Sequence, residues 1–261
     1  MACSVAQAAP LPCKPQDKLD VSAIKAAIVI VGEIHGTQEV PAFVSGLACS
    51  YLRAGRPVVL GIEQLTTIQP ALDRYMASDG SAEERKLLAA SAIGSLRDGR
   101  GSMAMLEMIE SARQLAKAGA PLNVHAFDPD ADFEVWRVDP ARAELQRDSG
   151  MAANILARQK ANPDAVSVNL MGNSHSSRKL GGAYVAANFE PAAYQVAKQA
   201  ATFEVKIAQQ GGQSWYCSGK RGKPVCEAQD LATLPLEEQD KGSADVIVAL
   251  GATKASPPMR D

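Results

Sequence analysis

Short continuous runs of apolar, β-branched residues alternate along this chain with longer stretches in which apolar positions recur every three or four residues. The runs at 27–31, 57–62, 122–127 and 165–171 read as strands, the first with the look of a strand buried on both faces. Between them the period lengthens. Phe43, Val44, Leu47, Ala48, Tyr51 and Leu52 mark one face of a helix, which Gly55 ends. Helical spacing then occupies 67–78, 82–93 and 102–118, the last with Met105, Leu106, Met108, Ile109 and Leu115. Asp139-Pro140 opens a further helix, with Asp as N-cap and Pro at the first helical position. Strands alternating with helices predict right-handed crossovers and a parallel sheet. Towards the C-terminus the pattern changes: 194–208 and 212–225 read as β-hairpin material, and 245–250 as a last apolar strand. The predicted fold is α/β, a mainly parallel central sheet flanked by helices, with an antiparallel β-hairpin extension near the C-terminus. Residues 1–20 read as an N-terminal arm or targeting remnant, and 21–261 as one α/β domain.

Composition narrows the partners. Hydrophobic content is 46%, charged content 21% and formal net charge −2, an ordinary globular profile. No basic stripe or basic-aromatic interleaving appears, which argues against nucleic acid. No apolar run approaches the ~20 residues of a spanning helix, so membrane contact would come only through an N-terminal lipid anchor. Ala2-Cys3-Ser4 has the form of a lipoprotein cleavage remnant, and Ala6-Gln7-Ala8 that of a signal-peptidase site; an unstructured cytosolic N-terminus is the alternative. Of five cysteines, Cys3 would be lipidated or removed. Cys217 and Cys226 flank a turn-rich segment that would close a hairpin and join them, leaving Cys13 to pair with Cys49. Four cysteines allow three connectivities, and buried free thiols are the competing reading. Disulfides imply an oxidising compartment, so the expectation is an exported protein, periplasmic or anchored at the outer membrane of a bacterial-type cell.

The candidate chemistry sits at strand ends, where open parallel sheets bind their ligands. All three histidines fall at or near such ends. Two occupy one four-residue frame, Gly32-Glu33-Ile34-His35 and Gly172-Asn173-Ser174-His175. Glycines at 32 and 36 permit a tight turn or close backbone approach. Glu33 and His35, two apart, project to one side of an extended backbone, and a carboxylate beside an imidazole raises its basicity. Glu63 closes an apolar strand and is costly to bury without a positive partner. His125 and Asp128 flank the end of the third strand. Glu39 opens a helix, where it also favours the macrodipole. Asn173 and the following serines supply donors, and Arg178 can meet anionic groups. No Gly-x-Ser-x-Gly, phosphate loop or dinucleotide fingerprint is present.

Taken together these motifs resemble the Tiki/TraB, erythromycin-esterase and ChaN-like superfamily. The resemblance rests on Gly-Glu-x-His-Gly-Thr-x-Glu after the first strand, Gly-Ile-Glu-Gln after the second and Gly-Asn-x-His after the fourth. Arg147-Asp148-Ser149-Gly150-Met151-Ala152 is similar to the group's Arg-Asp-x-x-Met-Ala segment, and Asp98-Gly99-Arg100-Gly101-Ser102 is set beside it. The resemblance implies a pocket lined by histidine and glutamate, with hydrolytic members. Tiki-type members are divalent-metal-dependent proteases, and erythromycin-esterase-type members activate water with a histidine aided by glutamate. ChaN-type members are lipoproteins that bind haem. The esterase frame has one more residue between Glu and His, and no tyrosine of the kind that ligates haem lies within the motifs here. The expectation is a hydrolase acting on an ester, lactone or peptide bond of a small-molecule or peptide substrate, with His35, Glu33, Glu63 and His175 as its catalytic set. His35, Glu63 and His175 would ligate a divalent metal (Zn, Mn or Co) if one is used. His125, Asp128, Arg147, Arg178, Asn173 and Glu39 would contact substrate or support the site. The alternative is a cell-envelope protein that captures haem or metal without turnover.

Overall fold

The structure, a computed structural model, describes residues 11–129, 133–181, 187–218, 225–235, 239 and 244–260. The expected targeting segment within 1–10 lies outside the described residues. The strands are β1 (Ile28–Glu33), β2 (Val58–Leu65), β3 (Leu122–Asp128), β4 (Val166–Gly172), β5 (Thr202–Ile207), β6 (Gln213–Ser218), β7 (Val225–Asp230) and β8 (Val246–Val248). The helices are α1 (Glu39–Arg53), α2 (Gln69–Ala77), α3 (Ala82–Ala90), α4 (Met103–Lys117), α5 (Phe133–Val138), α6 (Pro140–Ala161) and α7 (Ala192–Ala197).

Six strands form one parallel sheet in the order β3-β2-β4-β1-β5-β8. The uninterrupted apolar runs have a direct cause. Every residue of β1 and β4 is buried, because helices cover both faces. Alternation splits each strand between two cores: Val29 and Val31 face α1, α2 and α4, while Ile28 and Ile30 face α6 and α7. Each such side chain, fully withdrawn from water, contributes about 1.5–3 kcal/mol. Local signals match the termini: Asp139 caps α6 by accepting the Arg142 N–H at 3.1 Å, and Gly55 ends α1 with φ 76°.

The tail departs from expectation at 194–208. That segment is not hairpin but the end of α7 followed by β5, which pairs with β1 in parallel. The physical reason is the crossover: Pro191-Ala192-Ala193 starts a helical turn, which carries the chain back so that β5 enters in the same direction as β1. Residues 245–250 contribute β8, also parallel, beside β5. The antiparallel extension is β6–β7 alone, with Cys217 opposite Cys226; its turn, 219–224, lies outside the described residues. Two disulfides form, Cys13–Cys49 and Cys217–Cys226. By loop-closure entropy the first, spanning 36 residues, contributes about 4 kcal/mol and the second, spanning 9, about 3. Both point to an oxidising, exported environment. Among the described residues, no helix is long and apolar enough to cross a membrane.

Candidate active site

The carboxyl ends of β3, β2, β4 and β1, four neighbours in the sheet, each deliver a polar side chain to one place. Glu33 is the last residue of β1, with His35 two beyond; Glu63 lies near the end of β2; Asp128 ends β3; His175 follows β4. Arg100 enters from the loop before α4, and Arg147 and Asp148 from α6.

His35 is oriented from within its own frame. Its Nδ1 lies 2.8 Å from Glu33 Oε1, and its Nε2 3.5 Å from Glu63 Oε2. Burial lowers its proton affinity, but the Glu63 and Glu33 carboxylates outweigh it and the pKa rises above the ordinary histidine value. The backbone of Gly172 runs directly beneath this imidazole. A Cβ there would sit 2.9 Å from Nε2 and 3.5 Å from Glu63 Oε2, so only glycine leaves the space open. Gly36 is fixed by a different demand: its φ is 79°, and a side chain would strike the Trp215 carbonyl.

Glu63 is the hub. Oε1 accepts from Arg147 Nη2 at 2.7 Å and from Arg100 Nη1 at 3.2 Å; Oε2 accepts the Gly172 N–H at 2.6 Å. Desolvation raises its pKa, but His35, His175, Arg100 and Arg147 together hold the carboxyl far below the usual range. Asp128 completes the lattice. It takes a two-pronged contact from Arg147 Nε and Nη2 at 2.9 and 2.6 Å, and Arg100 Nη1 at 2.7 Å. Arg100 is clamped in turn by Asp98 at 2.7 Å. Burial opposes the charge on both guanidiniums, yet the surrounding carboxylates push their pKa values up.

His175 has a partner that the frame does not contain. Its Nδ1 lies 2.9 Å from Asp148 Oδ2, and Asp148 Oδ1 also accepts the Ala192 N–H at 2.6 Å. Arg147 Nη1 donates to His175 Nε2 at 3.0 Å, which assigns the ring proton to Nδ1. Burial lowers the proton affinity of His175 and Arg147 opposes it further, but Asp148 and Glu63 raise it overall.

Arg147 and Asp128 thus meet the predicted quartet. Other expected residues do not. His125 lies in the body of β3 rather than at its end, with a buried Nε2 that has no hydrogen-bond partner among the described residues, and burial and Arg158 lower its pKa. Arg178 is committed to the sheet edge, bonding Glu204, the Thr202 carbonyl and Asp245. Glu39 caps structure, accepting the Lys254 N–H at 2.9 Å. Asn173 is exposed, and its Oδ1 would lie 2.7 Å from a Cβ at Gly32, so it borders the first frame. Roles for Asp148, Arg100 and Gly172 were missed. Asp148 carries a readable signal, since it shares the buried stripe of α6 with Met151, Ala152 and Ile155, where a carboxylate needs a partner.

The trio His35, Glu63 and His175 does not fit a resident divalent metal. Glu63 oxygens are taken by two guanidiniums and a backbone N–H, and a cation there would face both arginines. Glu144, Asp148 and His175 form a different group, whose ligand atoms lie within 4.8 Å of one another and could hold a metal ion. Arg147 reaches the same space, 3.8 Å from Glu144 Oε2. For haem, the described side chains that meet at Glu63 are charged groups and histidines, with no tyrosine among them.

No protein-family model matches the chain, and no curated protein matches it by sequence. Solved structures match by shape. An erythromycin esterase mutant in its open conformation superposes with a TM-score of 0.61 at 12% identity, covering 90% of this chain and 88% of the other. A succinoglycan biosynthesis protein gives 0.61 at 10% identity, covering 89% of each chain. A protein from Bacillus cereus gives 0.56 at 11% identity, covering 89% and 90%. This chain has the fold those structures share, in agreement with the resemblance carried by its two GxxH frames.

Proposed function

We propose that the protein is a hydrolase in which His35 takes a proton from water as that water attacks an ester, lactone or peptide carbonyl. The observation that carries this reading is the 2.8 Å Glu33–His35 pair, with Nε2 held over the open floor at Gly172. Glu33 fixes the Nδ1–H tautomer and stabilises the imidazolium as it forms. The water oxygen bonds to the carbonyl carbon and its proton passes to His35 Nε2. That proton then goes to the leaving oxygen or nitrogen as the C–O or C–N bond breaks. Glu63 accepts the second hydrogen of the water and so aims its lone pair. Arg100 and Arg147 keep Glu63 ionised, and the Asp148–His175 pair holds the Arg147 guanidinium where it meets the oxyanion. An erythromycin esterase among the solved structures of the same fold supports hydrolysis.

Substrates on this reading are small esters, lactones or peptides, and the protein works in the periplasm, free or through a lipid anchor. The test is a screen of all three bond classes with and without chelator, comparing wild type with His35→Ala. Activity that resists chelator and disappears in the variant is expected. No turnover in any condition, or turnover unchanged in the variant, sinks the proposal. Metal capture is a second reading, favoured only by the Glu144, Asp148 and His175 group. Stoichiometric binding of Zn, Mn or Co, abolished by Glu144→Gln, would establish it instead.

A further inference from the structure

A cavity of about 420 Å³ lies beside the His35 loop, lined among others by Leu96, Arg97, Trp215, Pro258 and Arg260. Its walls are tied to the catalytic loops by backbone hydrogen bonds. The Trp215 N–H donates to the carbonyl of Gly36, the residue after His35, at 2.9 Å. The Cys217 N–H donates to the Arg97 carbonyl at 2.8 Å, and Arg97 precedes the Asp98 that clamps Arg100. The Met259 N–H donates to the Gly101 carbonyl at 2.9 Å, which fixes the segment carrying Arg260.

The arginines of these walls differ from those of the catalytic cluster in being unpaired. Arg97 and Arg260 are exposed, and among the described residues neither forms an ion pair with a carboxylate. Arg100, Arg113, Arg147 and Arg178, by contrast, are each paired. Trp215, half-buried, supplies an aromatic surface. Two guanidiniums beside an indole suit a planar anion carried on a ring, since guanidinium matches carboxylate geometry and the ring stacks. At the other end the guanidiniums of Arg100 and Arg147 are already taken by Glu63 and Asp128, so a ligand carboxylate finds its open guanidiniums at Arg97 and Arg260.

We infer that this cavity is the recognition pocket of the site, and that it takes a carboxylate borne on a ring, the carboxylate between Arg97 and Arg260 and the ring against Trp215. The word substrate here rests on the hydrolase reading; the ligand class does not. The two open guanidiniums thus hold the anionic end, leaving the neutral carbonyl towards His35.

Calorimetry with benzoate and its neutral amide, benzamide, tests the pocket without turnover. At low salt the acid is expected to bind about tenfold more tightly than the amide, with the preference weakened in Arg97→Gln or Arg260→Gln and lost in the double variant. Arg97→Lys should keep part of it, which separates lost charge from lost fold. Equal binding of acid and amide to wild type, or a preference that survives the double variant, overturns the inference. Kinetics with p-acetoxybenzoate and p-acetoxybenzamide separates the two readings. A benzoate preference with no hydrolysis of either ester leaves the pocket standing and the hydrolase reading refuted. Hydrolysis of both esters with equal KM refutes the pocket and leaves the hydrolase.

Discussion

In the first GxxH loop the carboxylate that orients the imidazole lies inside the frame: Glu33 meets His35 Nδ1 at 2.8 Å, two residues away on the same backbone. In the second, the equivalent position is Asn173, exposed to solvent, and His175 takes its carboxylate from Asp148 on α6. The same spacing therefore delivers two imidazoles to one edge but leaves each to be oriented differently. A partner two residues away on one strand end needs only local geometry. A partner from a helix requires α6 to dock first, and it ties the state of His175 to the packing of that helix and to the Ala192 N–H it also holds. On the proposed reading His35 does the chemistry, while His175 holds the arginine and the helix in place.

Four substitutions sharpen or break that contrast. His35→Ala is expected to lower kcat by about 10²–10⁴-fold, the usual contribution of a general base, and a smaller loss than in His175→Ala would reverse the roles given to them. Asp148→Ala leaves a buried backbone N–H and the His175 Nδ1–H without an acceptor. Urea denaturation should record a loss of about 2 kcal/mol, and an unchanged midpoint would mean that α6 does not depend on this contact. Glu33→Gln should act on pH dependence. Both histidines have raised pKa values, so their stabilising contribution is complete below the unfolded value and is lost as pH rises through the folded one. A base must be neutral, so activity falls on the acid side, and removing Glu33 should move that limb to lower pH. A limb that stays put in the variant would detach Glu33 from His35. Asn173→Ala is expected to change stability by no more than about 0.5 kcal/mol, and a larger change would restore symmetry between the frames.

Most of the sheet was legible because double-sided burial leaves uninterrupted Val, Ile and Leu, and helical periodicity separates those runs. The tail was less legible: residues of β5 alternate Phe203, Glu204, Val205 and Lys206, a pattern equally at home in a hairpin, and only the α7 crossover decides its direction. Within the site, His35, Glu33, Glu63 and His175 were visible as strand-end residues in a repeated frame. His125 misled because β3 runs three residues further than the histidine, to Asp128, so a ring placed at the edge by sequence lies beside Asn154 and Arg158 of α6 instead. Arg100 sits in a loop with no periodicity to place it. Only the folded geometry brings it against Glu63 and Asp128.

The strand order has a further consequence, for how the molecule comes to be made. β4 lies between β1 and β2 in the sheet, yet it follows both in the chain. During synthesis or passage through a membrane channel, the facing edges of β1 and β2 must wait for a strand that arrives about a hundred residues later, a non-local pairing of the kind that slows folding. Until then those two apolar edges invite each other or a neighbouring chain. The same late strand carries Gly172 and leads into His175, so the cluster around Glu63 is completed only when that insertion is. On the hydrolase reading, recovery of activity during refolding would time the closing of the sheet.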